Sequence, residues 1–206
     1  MKLTRDNFED CVGDLDLYTS IDAWSASELA EAYDGRELSL NGLKEISSAV
    51  AEALEGHTYR LELNGLESIS DEVAEILSRH EGDLGLDGVR ELSSRAAEHL
   101  SRHDGECGLI YLNGLRSLTN EPGHVLLADH LATYFDYDEL KLNGLEVLEE
   151  GPARELAKHA GWLYLNGLRS VSPEVLGILS SRVEGTSLKG MVRPEGIKWS
   201  GEVEFE

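Results

Sequence analysis

A six-residue pattern, Leu-x-Leu-Asn-Gly-Leu, returns along this chain at near-constant spacing, and that return constrains the fold more than any other feature. It reads Leu38-Ser39-Leu40-Asn41-Gly42-Leu43 and Leu61-Glu62-Leu63-Asn64-Gly65-Leu66, with a variant at Leu84-Gly85-Leu86-Asp87-Gly88-Val89. It recurs at Ile110-Tyr111-Leu112-Asn113-Gly114-Leu115, Leu140-Lys141-Leu142-Asn143-Gly144-Leu145 and Leu163-Tyr164-Leu165-Asn166-Gly167-Leu168. Successive starts lie 23, 23, 26, 30 and 23 residues apart, and one more step of 23 reaches a degraded copy, Thr186-Ser187-Leu188-Lys189-Gly190-Met191. A period of twenty-odd residues implies stacked units, each too poor in apolar surface to fold alone, in place of one compact core.

The unit over residues 61–83 shows the grammar. Leu61 and Leu63 alternate with Glu62, which predicts a short strand with Leu on one face. Asn64-Gly65 ends it, with Gly65 expected in a left-handed conformation. Leu66 and Ile69 turn back into the core. Ser70 is placed as a helix N-cap, with Asp71 and Glu72 where the positive end of the dipole favours acids. Val73, Ile76 and Leu77 form the apolar stripe, and His80 and Gly82 close the helix, Gly82 as a left-handed C-cap. Ser47, Ser93, Thr119 and Ser172 stand at the position of Ser70, Glu149 departs from it, and Pro173 suits the first helical position.

The pattern resembles the leucine-rich repeat, in a short bacterial form like that of large planctomycete-type repeat proteins. The resemblance covers residue 38 to about residue 191. It departs from the common repeat in that Asn follows the second strand Leu directly. The resemblance implies an α/β fold: a right-handed, leucine-rich-repeat-like solenoid with a curved parallel sheet on one face and helices on the other. It also implies protein binding on the sheet face, and no particular ligand. Residues 1–37 are expected to hold an N-terminal cap and an eroded first repeat, residues 38–191 the solenoid, and residues 192–206 a C-terminal hairpin cap. Within the ends, residues 4–12 predict a capping helix, Leu15-Asp16-Leu17 a first strand, and residues 25–33 its helix, closed by Gly35. Residues 196–206 alternate around Ser200-Gly201 and predict a hairpin.

The formal net charge is -22, from 40 acidic and 18 basic residues. Such a field disfavours nucleic acid and anionic membranes as direct ligands and favours a basic partner or simple solubility. No apolar run approaches the ~18–20 residues of a membrane span, and the N-terminal residues lack a signal-peptide core. Cys11 and Cys107 have no framework spacing. These features predict a cytoplasmic setting.

The patterns that could carry chemistry are few. His99 and His103 stand at i and i+4 with Cys107 shortly beyond, which are metal-ligand types at workable spacing. His103 also belongs to a series, His57, His80, His103 and His159, with Arg182 in the sixth copy. A residue repeated at helix ends is better explained by dipole complementarity and end-capping. No phosphate loop, nucleophile elbow or zincin helix is present. The expectation is therefore no enzyme, no metal and no cofactor.

The positions that break the repeat point to a binding face. Strand alternation turns Ser39, Glu62, Gly85, Tyr111, Lys141, Tyr164 and Ser187 away from the core. The residues just before each strand, Glu37, Arg60, Asp83, Leu109, Glu139, Trp162 and Gly185, point the same way. Leu109, Tyr111, Trp162 and Tyr164 are expected to anchor a protein or peptide in one contiguous patch, with Glu139 and Lys141 setting register. The alternative is an acidic decoy that presents carboxylates to a basic, nucleic-acid-binding partner. A longer spacing after Ile110 and three extra residues in the segment 104–108 predict insertions, with Tyr134, Phe135 and Tyr137 adding aromatics.

Overall fold

The computed structural model describes residues 1–8, 14–103, 108–134 and 139–205. It is a mixed α/β protein with parallel strands, divided into two compact units, Met1–Leu112 and Asn113–Glu206. The first unit runs β1 (Lys2–Leu3), β2 (Ser20–Ile21), α1 (Ala23–Ala32), β3 (Leu38–Ser39), α2 (Ser48–Leu54), β4 (Leu61–Glu62), α3 (Asp71–Leu77), β5 (Leu84–Gly85), α4 (Ser94–Leu100) and β6 (Ile110–Tyr111). The second runs β7 (Ser117–Leu118), α5 (Pro122–Tyr134), β8 (Leu140–Lys141), β9 (Val147–Leu148), α6 (Glu150–Leu156), β10 (Leu163–Tyr164), α7 (Pro173–Ser180), β11 (Thr186–Ser187) and β12 (Val203–Glu204).

Within each unit, successive copies of the Leu-rich pattern place their strands in register. Leu38 pairs with Leu61, Leu61 with Leu84 and Leu84 with Ile110 in one sheet. Leu140 pairs with Leu163, and Leu163 with Thr186, in another. The strand leucines and those after the turn are fully buried, as at Leu61, Leu63, Leu66, Leu140, Leu142 and Leu145. Each fully buried Leu contributes about 1.5–3 kcal/mol.

The turn after each strand is fixed by a side-chain ladder. The Oδ1 of Asn41 accepts from the Asn64 amide at 2.8 Å, and the Oδ1 of Asn64 from the Asp87 amide at 2.8 Å. In the second unit Asn113 serves Asn143 at 2.9 Å, Asn143 serves Asn166 at 3.2 Å, and Asn166 serves Lys189 at 2.9 Å. The glycine beside each Asn has a different task from the expected one. Gly65 and Gly82 are not left-handed; among the described residues the positive-φ glycines are Gly35 and Gly196. A Cβ at Gly65 would overlap the carbonyl oxygens of Asn41 and Leu43, so glycine is needed there for close approach of successive turns.

Ser47, Ser70, Ser93 and Ser172 cap their helices as expected, each accepting from the backbone amide three residues on. Glu149 makes no such bond. Thr119 does not join the series, because α5 begins at Pro122 and the Thr119 hydroxyl lies 2.9 Å from Nδ1 of His124.

Both ends differ from expectation. Leu15–Leu17 is a 3-10 turn, not a strand, and β2, which pairs with β1, follows it. The Asp16 carboxylate nonetheless takes the ladder place of an Asn, accepting from the Asn41 amide at 2.7 Å. The expected helix over residues 4–12 is a 3-10 turn at Arg5–Asn7, and residues 9–12 lie outside the described residues. Helix α1 starts two residues before Ser25 because Asp22 is the cap, accepting from the Ser25 amide at 2.8 Å. The C-terminal segment forms no hairpin: β12 adds to β11 in parallel, with Thr186 against Val203. Among the described residues no helix is long and apolar enough to cross a membrane.

Candidate functional site: two strand faces

In the second unit the predicted residues Glu139, Lys141, Trp162 and Tyr164 meet on one face. The pairing of β8 with β10 sets Lys141 beside Tyr164. Its ammonium lies 5.8 Å from the centre of the Tyr164 ring and 2.7 Å from Oε2 of Glu139. The Tyr164 hydroxyl donates to Oε1 of the same carboxylate at 3.0 Å. Hydrogen bonds from Lys141 and Tyr164 hold the Glu139 carboxyl below its usual range, and the same pair raises Lys141. The Trp162 and Tyr164 ring centres are 5.9 Å apart at 32°, and both side chains are half-buried. A Cβ at Gly185 would strike the indole, so the glycine of β11's approach lets Trp162 lie over the neighbouring strand.

Leu109 and Tyr111 belong to the first unit and enter a different arrangement. The Arg60 guanidinium sits 4.9 Å over the Tyr111 ring, is paired with Glu62, and lies 3.7 Å from Asp83. Asn64 also donates to Glu62. The Leu109 amide donates to Asp83 at 2.9 Å, and its side chain is half-buried. Glu62 is only 7% exposed, which corrects its expected place on an open face. Its carboxylate lies over Gly85, where a Cβ would collide with it, and this neighbouring gap lets the side chain fold down onto Asn64. Ser187 is also buried, because its hydroxyl donates inward to Asn166 at 2.9 Å and contacts Glu204 at 3.0 Å. The strand pairings join β6 to β5 and β8 to β10, so the six predicted residues divide between two sheets.

Sequence reasoning missed the part played by Arg60 and Asp83. The available signal was the Arg60/Glu62 spacing, since i and i+2 on a strand share a face. Near them, Glu37, Thr58, Tyr59, Arg60, Glu81, Gly82 and Asp83 line a cleft of ≈ 460 Å³.

The histidine series is a buried column. His57, His80 and His103 are at most 2% exposed, with ring centres 5.8 and 6.4 Å apart and nearly parallel planes. His57 donates through Nε2 to the Arg36 carbonyl, and His80 to that of Tyr59, each at 2.8 Å. Burial pushes His80 down to about 4, so at neutral pH it is an uncharged donor. That replaces the expected dipole-complementing cation with a hydrogen bond to the preceding unit. Parallel rings also do not converge on a common point. His99 lies 3.9 Å from Glu75, while Cys107 lies outside the described residues, as do Cys11, Phe135 and Tyr137. Among the described residues no group of three or more His, Cys, Asp or Glu is placed to hold a metal. In the longer spacing after Ile110, α5 extends to 13 residues, and Tyr134 stacks on His130 at 4.4 Å.

Compared with protein-family models and with curated proteins, the sequence matches none.

Proposed function

We propose that the repeats stack as a right-handed, leucine-rich-repeat-like solenoid, with strands on one side and helices on the other. In this reading the chain is a non-enzymatic, cytoplasmic module that binds a protein or peptide through the strand face of its second unit. The in-register pairing of successive copies and the Asn ladder support the architectural part. The observation that carries the functional part is the half-exposed Trp162/Tyr164 pair, flanked by the exposed Glu139 and Lys141. Half-exposed aromatics beside exposed charges are the composition of interface anchors with a polar rim.

The test is affinity capture from the native host followed by mass spectrometry. Trp162→Ala with Tyr164→Ala is expected to weaken capture at least about thirtyfold, since an anchor contributes about 2 kcal/mol or more. Glu37→Ala, on an exposed side chain of the first unit, is expected to leave capture within about twofold. Glu62 is unsuitable as a surface control because it supports Arg60 and Asn64. Full capture by the aromatic double variant, with an unchanged circular dichroism spectrum, would remove this face from consideration.

A further inference from the structure

We infer that the Tyr164–Glu139 corner is a seat for an arginine side chain of a basic partner, and that Lys141 occupies it in the unbound protein. The inference rests on the reading of this strand face as a binding surface and specifies what it takes.

The seat has the two components that recognise a guanidinium. Tyr164 offers an aromatic face, and Glu139 offers a carboxylate that already accepts from both Tyr164 and Lys141. Trp162, 5.9 Å from Tyr164, extends the aromatic surface. A cation in this corner is an observed arrangement, because Lys141 is there. The first unit contains the same arrangement with Arg as the cation, in Arg60 over Tyr111 with Glu62 and Asp83.

The two corners differ in how firmly the cation is held. Arg60 is tied to two carboxylates, the buried Glu62 of β4 and Asp83 just before β5. The Lys141 and Glu139 side chains are 52% and 53% exposed, and exposed ion pairs of this kind are weak enough to exchange. Guanidinium is less strongly hydrated than ammonium, stacks on aromatic rings and matches a carboxylate with a planar fork, so arginine is the better occupant. The net charge of -22 draws basic segments toward the protein before any specific contact forms.

The experiment uses an acetylated, amidated peptide with three arginines spaced by glycine, and its citrulline counterpart, which keeps the shape without the charge. Binding to the full chain is followed by calorimetry and by the Trp162 indole resonance. The arginine peptide is expected to bind and shift that resonance, and the citrulline peptide is not. Lys141→Met removes the resident cation and is expected to tighten binding about fivefold, whereas Lys158→Met, with the same charge change just beyond the end of α6, stays within about twofold. Tyr164→Leu is expected to weaken binding about fivefold or more. Equal effects of Lys141→Met and Lys158→Met, or no effect of Tyr164→Leu, would show attraction to total charge alone and overturn the inference. If the peptide ignores these residues while the Trp162/Tyr164 double variant still loses the host partner, the binding face stands and the arginine seat does not. If capture also survives, both fall.

Discussion

Helix ends in the first unit and the last helix end of the second satisfy backbone carbonyls with different chemistry. Where helices end in the first unit, imidazoles stack in a column, and His57 and His80 each donate one bond to a carbonyl of the preceding repeat. In the second unit His159 is again a buried imidazole, 3.3 Å from the Ala132 carbonyl, but the sixth copy has Arg182 there, 4% exposed. Its guanidinium donates to the carbonyls of Leu156, Ala157, His159 and Gly161 and to the Thr186 hydroxyl. Burial lowers its pKa, yet arginine does not lose its proton in proteins. One sequence position thus has a solution that depends on pH and another that does not.

The strongest way to break this comparison is to remove Arg182. Arg182→Met leaves several buried carbonyls without their donor and should cost about 4 kcal/mol. Urea denaturation measures it, and a loss below about 1 kcal/mol would mean that water replaces the guanidinium and the site is not a structural clamp. Acid provides the next largest effect. His80 has a folded pKa of about 4, below the ordinary 6.5, and is faced by His57, His103 and Asp83. The unfolded chain therefore binds more protons between these values. Stability from this group is complete above about pH 6.5, falls as pH drops through that window, and is lost below about pH 4, a total of about 3 kcal/mol. Amide exchange corrected for intrinsic rates should show α3 and α4 losing protection between pH 7 and pH 5. His80→Gln should flatten that dependence, and α7, which ends at Arg182, should change less. Equal acid sensitivity of α3 and α7 would abolish the contrast. The smallest effect concerns caps. Ser70→Ala should cost about 1 kcal/mol because it removes a bond to the Val73 amide. Glu72→Ala, an exposed first-turn side chain of the same helix, should stay within about 0.5 kcal/mol. Equal losses in thermal denaturation would mean that Ser70 acts through something other than its cap.

Strand register was legible because two-residue alternation leaves one choice once Leu must be inside, and Leu142 and Lys141 fall on opposite sides as that rule requires. The serine caps were legible because each depends only on local spacing. Leu15–Leu17 was misread because Leu-x-Leu fits both a strand and a 3-10 turn, and the contacts of β1 with β2 decide between them. The C-terminal segment alternates as a hairpin would, but whether a strand adds parallel or antiparallel depends on its neighbour, not on its own pattern. The strand faces were only half legible. Alternation says that Glu62 and Tyr164 leave the core, but whether a side chain then stands free or folds over the next strand is decided by Gly85 or by Lys141, one period away. The histidine spacing was visible, but the protonation state of His80 was not, because burial sets it.

The asparagine ladder has a direction. In each of these steps the earlier residue supplies the oxygen and the later turn supplies the amide, beginning with an Asp16 carboxylate that can only accept when ionised. A turn therefore finds its acceptor only after the preceding turn exists. During synthesis on the ribosome the preceding turn always emerges first, so the order of translation is the order in which acceptors become available within each unit. A chain assembled in this way never has to hold a finished turn waiting for an upstream partner that has not yet been made.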